Sequence, residues 1–522
     1  DDGLINITED GGKTWRKVEK VLEVPESSYV HRVLASQHDV NTVYALYNNH
    51  QNGDFKPYAV KSTDAGKTWT MINGNLPERG SVYAIAEDPV NPNLLFIGTE
   101  FGLFFTPSVN GDGGPKWIQL KGGLPTIAVR DLAIHKGLND LVVATFGRGF
   151  YVLDDYSPLR GVKAEALAQD SNLFPVKDAL MYVRSSASLA GSQGASFYTA
   201  PNPAYGATIT YYLKEQLRTK KQLRQQAERD SERKKEPIKY PTRQELRDET
   251  EEEAPALLLT ISDAEGKVVR RLTAPAMFGI QRAVWDFRYA PPVVQAAPQL
   301  PPGMEGIDLA TLGGGGGFGG FGPQGELAMP GKYTVTMAKR VGGVITPLTG
   351  TQTFNVVAEG AEKMTPQDRA TLAEFQRKVI KLQRAVTGAL DAATTAKTKL
   401  GLMKRAALEA PGSSQALIGE VNALDDKADE VLEVLRGGRA LTDTPSPSIN
   451  QRVSAIIQRI RLSALRPTQS QQEQYAIAAE DFKAALAKLR SLVEVDLAKL
   501  DKTLDTAGAP WTAGRLPVWQ DK

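Results

Sequence analysis

Six side chains with chemical use fall on or just after inner strands: His31, Arg32, Arg130 and Asp131 within two of three aligned apolar phrases, and Glu100 and Arg148 after the strand phrases Leu94–Gly98 and Leu141–Thr145 that come next along the chain. The three aligned phrases are Val30-His31-Arg32-Val33-Leu34, Val82-Tyr83-Ala84-Ile85-Ala86 and Val129-Arg130-Asp131-Leu132-Ala133. Arginines can converge on a carboxylate ligand, since each guanidinium presents a planar fork of donors that matches two oxygens. Two carboxylates that flank a glycosidic bond can cleave it, one as acid and the other as base or nucleophile. Arg130 and Asp131, however, are neighbours in an extended phrase, so alternation sends them to opposite faces, and no facing carboxylate pair emerges. No catalytic residue is assigned. The six are expected to line a channel as binding residues, with ion pairing between neighbouring sheets as their alternative role. Ser108-Val109-Asn110-Gly111-Asp112-Gly113 resembles part of a calcium loop but lacks the leading Asp and the distant Glu. No metal or other cofactor is expected.

The elements that must hold these residues are set by a repeat. Thr8-Glu9-Asp10-Gly11-Gly12-Lys13-Thr14-Trp15 returns as Ser62-Thr63-Asp64-Ala65-Gly66-Lys67-Thr68-Trp69, with a weaker copy ending at Trp117. The form suits a tight hairpin: Asp10 and Asp64 accept local backbone N–H bonds, Gly12 and Gly66 take positive φ, and Trp15 and Trp69 plug a gap between strands. A period of about fifty residues built from strands signals propeller blades. Residues 1–158 are therefore read as the C-terminal blades of a β-propeller. The opening stretch through Ile7 reads as a third strand, with the first two strands of its blade upstream.

Residues 159–360 carry short alternating strands, among them Ala207–Tyr212, Leu257–Ile261, Ala283–Phe287 and Tyr333–Thr336, and suggest an immunoglobulin-like β-sandwich. Insertions interrupt it at 214–253 and 291–330. The first, with twelve basic and eleven acidic residues, reads as a solvated helical protrusion broken at Pro237 and Pro241. The second contains the run Gly313–Gly322, which has no following lysine and helix and reads as a loop rather than a phosphate site. From Thr365 the apolar period becomes helical. The stripes Leu372–Val386, Leu417–Leu435, Ile449–Ile460 and Tyr475–Leu500 predict an antiparallel helical bundle over 361–508, followed by a tail at 509–522. The fold class is multidomain, mainly β and then α.

Composition narrows the function. Lys and Arg number 62 against 60 Asp and Glu, so no global field points to nucleic acid or an anionic membrane. Cysteine is absent, which removes disulfides, thiolate metal sites and cysteine nucleophiles. The four histidines, His31, His38, His50 and His135, are too few and scattered to suggest a multi-histidine metal site. No apolar run approaches the roughly 18–20 residues of a membrane span.

The chain resembles bacterial sortilin-like proteins with Asp-box (BNR-repeat) propellers, often labelled glycosyl hydrolases. The resemblance rests on the two boxes, on Gly98-Thr99-Glu100-Phe101-Gly102-Leu103 and on Ala144–Asp155. It extends to Gly279–Arg288 and Pro330–Val335. It implies an extracytoplasmic protein, periplasmic, cell-surface or secreted, whose propeller binds a peptide or protein partner without catalysis. The missing N-terminal blades of the same protein are the other expected partner. The alternative is a glycoside hydrolase, sialidase-like or β-glucanase-like, with its catalytic groups mainly in those blades.

Overall fold

Short extended segments bounded by glycine and Asn/Asp turns form a series of antiparallel meanders in the computed structural model. It describes residues 3–18, 20–111, 113–182, 200, 202–294, 325–359, 364–438, 446–461, 465–517 and 519. Strands β1 (Ile5–Ile7) and β2 (Arg16–Val18) pair with each other. Strands β3 (Tyr29–Ala35), β4 (Val43–Asn48), β5 (Tyr58–Ser62) and β6 (Thr70–Met71) form a four-stranded meander. Another comprises β7 (Val82–Glu87), β8 (Leu95–Thr99), β9 (Gly102–Thr106) and β10 (Ile118–Leu120). Strands β11 (Val129–His135), β12 (Asp140–Thr145) and β13 (Phe150–Leu153) form a three-stranded sheet.

These sheets stack face to face. Ile5 and Val18 share a core with Ala45, Tyr47, Tyr58 and Val60. Tyr44, Leu46 and Ala59 meet Ile85, Leu95, Ile97 and Phe104, and Phe96 and Phe105 share a core with Val129, Leu132, Leu141 and Val143. The central strands are apolar on both faces because each sheet is sandwiched, which explains the unbroken runs such as Leu94–Ile97. Gly98 marks a close approach of backbones: a Cβ there would lie 2.7 Å from the Val129 carbonyl oxygen. Gly98→Ala is expected to lower stability by about 1–3 kcal/mol through this overlap. An unchanged melting temperature would show that the two sheets separate freely.

Both box turns close in the same way. Asp10 Oδ1 accepts from the Lys13 and Thr14 amides at 2.9 Å each, and Oδ2 accepts from the Thr14 hydroxyl at 2.7 Å. Asp64 repeats all three bonds with Lys67 and Thr68. The Thr14 amide and hydroxyl hold the Asp10 carboxyl down to about 2, and the matching bonds from Thr68 lower that of Asp64. Gly12 and Gly66 sit at φ 92° and 75°, as the hairpin requires. The tryptophans differ. Trp117 is buried and donates to the Ile72 carbonyl, and Trp69 packs against the core shared by the first two sheets. Trp15, expected to plug a gap, is instead 62% exposed. The second box packs against the preceding sheet, since a Cβ on Gly66 would strike Ile7; among the described residues no sheet occupies that position for the first box.

The linker forms a 3₁₀ turn at Ser157–Gly161 and the short helix α1 (Ala164–Ala168). Two sheets then share one core. One contains β14 (Ser171–Leu173), β16 (Ala207–Leu213) and β19 (Gly279–Trp285). The other runs β15 (Ala179–Met181), β21 (Val344–Ala358), β20 (Gly331–Val341), β17 (Ala256–Ser262), β18 (Val268–Ala274). Ile209, Tyr211 and Trp285 from the first sheet meet Leu257, Leu259, Tyr333 and Phe354 from the second. One neighbouring pair, β15 with β21, is parallel. Helices α2 (Lys220–Lys234) and α3 (Arg243–Glu251) stand between β16 and β17, have no buried residue, and are joined by Arg224 to Glu249 at 2.7 Å. The glycine run at 313–322, most of the 291–330 insertion, Asp112 and Pro445 lie outside the described residues.

The helical part begins with α4 (Pro366–Glu409), capped by Thr365, whose hydroxyl accepts from the Asp368 amide at 3.1 Å. The stripe noted to Val386 continues through Ala393, Ala396, Leu400, Met403 and Ala407, so the helix is about twice as long as that stripe suggested. It is followed by α5 (Gln415–Arg436), α6 (Ile449–Arg461) and α7 (Gln469–Arg490), with a π-helical segment at Ser491–Asp496 leading into α8 (Leu497–Thr506). The N-terminal half of α4 shares a core with α5, α6 and α7; its C-terminal half shares another with α5, Leu492 and α8. Residues 509–517 are not a loose tail: Arg515 is buried and pairs with Asp501 and Asp505. No described helix is long and apolar enough to cross a membrane.

Candidate functional site

Each of the three strands that opens a meander carries an irregularity at the same place. Register shifts occur between Val30 and Arg32, between Val82 and Ala84, and between Val129 and Asp131. The extra residues are His31, Tyr83 and Arg130. A bulge breaks the alternation of side chains and re-aims the inserted one. Here the three inserted side chains meet. The His31 and Tyr83 rings lie 5.2 Å apart, edge to face, and the Arg130 guanidinium sits 3.8 Å from the Tyr83 ring centre and 5.2 Å from that of Phe146. Tyr29 extends the row, with its ring 6.0 Å from His31.

The expected separation of Arg130 and Asp131 by strict alternation is thus replaced by a bulge-directed arrangement. Arg130 reaches Tyr83 of the second meander, while Asp131 forms an ion pair with Arg32 of the first. Glu100, in the turn after β8, accepts a hydrogen bond from the Tyr83 hydroxyl. Both carboxylates are therefore engaged. Burial first, then the hydrogen bond to Glu100, pushes the Tyr83 phenol up, so it stays a donor at neutral pH. Burial and the charges of Arg130, Arg32 and His50 push the His31 imidazole down, which leaves it neutral at neutral pH. The Arg130 Nε is buried with no hydrogen-bond partner, and no described carboxylate pairs with the guanidinium.

Arg148 lies in the exposed turn between Gly147 and Gly149, and no described contact joins it to the row. The box residues Asp10, Gly12, Trp15, Asp64, Gly66 and Trp69 belong to turns between the last two strands of their sheets, whereas the bulges lie on opening strands. They build the sheets and take no part in this site. Sequence reasoning missed Tyr83 and Phe146. The signal was present for Tyr83, which occupies the same place in its phrase as His31 and Arg130.

The strand ends nearest the bulges carry further exposed aromatics. Phe101 follows β8 and Phe146 follows β12; they are 44% and 67% exposed. Phe55 precedes β5 and holds the Arg79 guanidinium 5.3 Å from its ring centre. Among the described residues no group of three or more His, Cys, Asp or Glu side chains could hold a metal ion.

No family model matches the chain, and no curated protein does. Among solved structures it is similar to the GH74 enzyme of Niastella koreensis, at 17% identity over 36% of this chain and 29% of that one, with a TM-score of 0.21. It is also similar to the GH74 xyloglucanase from Xanthomonas campestris, at 14% identity over 32% of this chain and 26% of that one, with a TM-score of 0.18. The chain thus spans less than a third of either enzyme's length. At such TM-scores fold and site rest on this chain's own geometry.

Proposed function

We propose that the stacked meanders are blades of an Asp-box β-propeller, followed by an immunoglobulin-like sandwich and a helical bundle. The bulge row is a non-catalytic binding site for a peptide or protein segment that presents a carboxylate. The observation that carries this reading is Arg130: a guanidinium 3.8 Å from the Tyr83 ring centre and 5.2 Å from that of Phe146, with no described counter-ion. Such a group has been oriented without being neutralised, and a carboxylate of the partner would complete it in fork geometry. Glu100 is engaged by Tyr83 and Asp131 by Arg32, which supports binding over cleavage by a facing pair of carboxylates. The resemblance to sortilin-like proteins supports a place outside the cytoplasm.

The test is a display screen for peptides bound by the protein, followed by affinity measurement for the selected sequences. Arg130→Gln is expected to weaken binding about 10-fold or more, through loss of a charge-assisted pair. Converting the peptide's carboxylates to amides should cause a similar loss, and should cause none in the Arg130→Gln protein. Hydrolysis of sialosides or β-glucans that vanished in Glu100→Gln would overthrow the binding reading.

A further inference from the structure

The turn between the second and third strands of each sheet carries a phenylalanine beside the bulge row. Phe55 lies between β4 and β5, Phe101 between β8 and β9, and Phe146 between β12 and β13, and all three are exposed. Turns are ordinarily built from Gly, Pro, Asn, Asp and Ser, so chain reversal does not call for three bulky rings at equivalent places. Each turn is tied to a segment that enters an opening strand. The Gly80 amide donates to the Phe55 carbonyl at 2.8 Å, the Glu100 amide to the Ser81 carbonyl at 2.9 Å, and the Phe146 amide to the Ala128 carbonyl at 2.9 Å. A Cβ on Gly80 would lie 3.2 Å from the Phe101 ring, so the Arg79-Gly80 segment touches both Phe55 and Phe101. Through Tyr83 and Glu100 the row continues to Arg130 and Phe146, which makes one track across the three sheets.

Two guanidinia repeat one arrangement along this track. Arg79, from the segment entering β7, lies over Phe55 of the first meander, and Arg130, from β11, lies over Tyr83 of the second. Among the described residues no carboxylate pairs with either. Asp54 accepts instead from Asn49 and Tyr58, Glu100 accepts from Tyr83, and Glu78, next to Arg79 in sequence, pairs with neither arginine. A guanidinium resting on a ring is partly desolvated and already oriented, so it loses less freedom on meeting a carboxylate. The same contacts occupy ring surface that a neutral sugar would need for stacking, which favours an acidic partner.

We propose that the partner segment is acidic at two places: it lies along the track with one carboxylate on Arg130, a second on Arg79, and an apolar side chain between them against Phe101. The inference rests on the Arg130 reading and adds a second charged subsite to it. The two arginines serve junctions one sheet apart, and stacked sheets lie about 10 Å apart. A polyproline II segment advances about 3.1 Å per residue and returns to the same side every third residue. Acids three positions apart on such a segment therefore match the two subsites.

Fluorescently labelled, capped peptides of glycine and serine serve as probes, carrying one glutamate or two glutamates from two to five positions apart, with serine or phenylalanine between them. Anisotropy gives their affinities for the full chain. The pair three positions apart is expected to bind about 10-fold more tightly than a single glutamate. That gain should disappear in Arg79→Gln and persist in Arg229→Gln, which removes an equal charge from α2. Phenylalanine between the acids should tighten binding further in the parent but not in Phe101→Ala. A gain that is the same at every spacing, or that survives Arg79→Gln, overturns the inference; single-glutamate binding that still falls in Arg130→Gln would then leave the first reading standing. Binding that never depends on Arg130 removes both. Tighter binding of an oligogalacturonate, lost in Arg79→Gln and in Arg130→Gln, would assign the track to an acidic glycan and overturn the peptide partner.

Discussion

Replacing Asp88 with alanine is expected to destabilise the protein by about 3–5 kcal/mol, the usual consequence of removing one partner from a buried ion pair. Asp88 is fully buried in the turn after β7 and is contacted from several elements. Oδ1 accepts from Arg160 Nη2 at 2.7 Å and from the Tyr156 hydroxyl at 2.6 Å. Oδ2 accepts from Arg160 Nε at 2.9 Å and from the Asn91 amide at 2.6 Å. Arg160 also donates to Asn139, which ties the second meander, the third sheet and the linker turn together. Alanine would leave the phenol and the amide with no acceptor and the guanidinium with Asn139 alone. Tyr156→Phe keeps the ion pair and should cost only about 1 kcal/mol. Thermal unfolding of the two variants compares them directly; equal losses would show that the pair itself contributes nothing.

The pH dependence of this lock has a definite sign. Burial alone would raise the Asp88 carboxyl, but Arg160, Tyr156 and the Asn91 amide outweigh it and hold the carboxyl below its ordinary value. The stabilisation is therefore present above the unfolded pKa, near 4, and is lost as pH falls through the lower folded value. The Asp88→Ala protein should lose less stability on acidification than the parent.

Trp285→Ala is expected to cost about 3–5 kcal/mol in the sandwich, from lost burial and the cavity left behind. Trp285 is fully buried, and its ring lies 4.9 Å from Tyr333, 5.7 Å from Phe287 and 6.2 Å from Phe354. Its Nε1 donates to the Arg288 carbonyl at 2.9 Å, which also fixes the chain leaving β19. Trp285→Phe retains most of the aromatic contact and should recover about half of the loss. A full recovery would assign no stabilising role to the indole hydrogen bond. Chemical denaturation followed by near-ultraviolet circular dichroism reports the change, because this cluster dominates the aromatic packing of the sandwich.

The elements that could be read from sequence are those in which one physical signal acts alone. The box turns were legible because Asp, Gly and Thr have fixed duties at fixed offsets, and those duties appear as the same three hydrogen bonds in both copies. Strand β14 escaped notice because three residues, Ser171-Asn172-Leu173, carry no period. The second half of α4 was faint because alanines replace large apolar residues at Ala393, Ala396 and Ala407 where the helices approach closely. At the candidate site the residue types were visible but their meeting was not. Alternation is a rule for regular strands, and the bulges that bring His31, Tyr83 and Arg130 together suspend it. The exposure of Trp15 illustrates a different limit: the motif specifies the turn, while burial of its tryptophan depends on a neighbouring sheet.

The 44 residues of α4 run without interruption through two separate cores, and this restricts how the gene can change length. A residue added or deleted between Ala393 and Ala396 would rotate everything beyond it by about 100° and shift it by about 1.5 Å. Leu400, Met403 and Ala407 would swing away from α5 and α8, although no side chain in either core had been substituted. An insertion or deletion of seven residues returns the stripe to within about 20° of its original direction. Point changes along the exposed side of the helix are cheap by comparison. Length variation at this junction should therefore come in near-heptad steps, while the loops at either end of α4 remain free to vary by single residues.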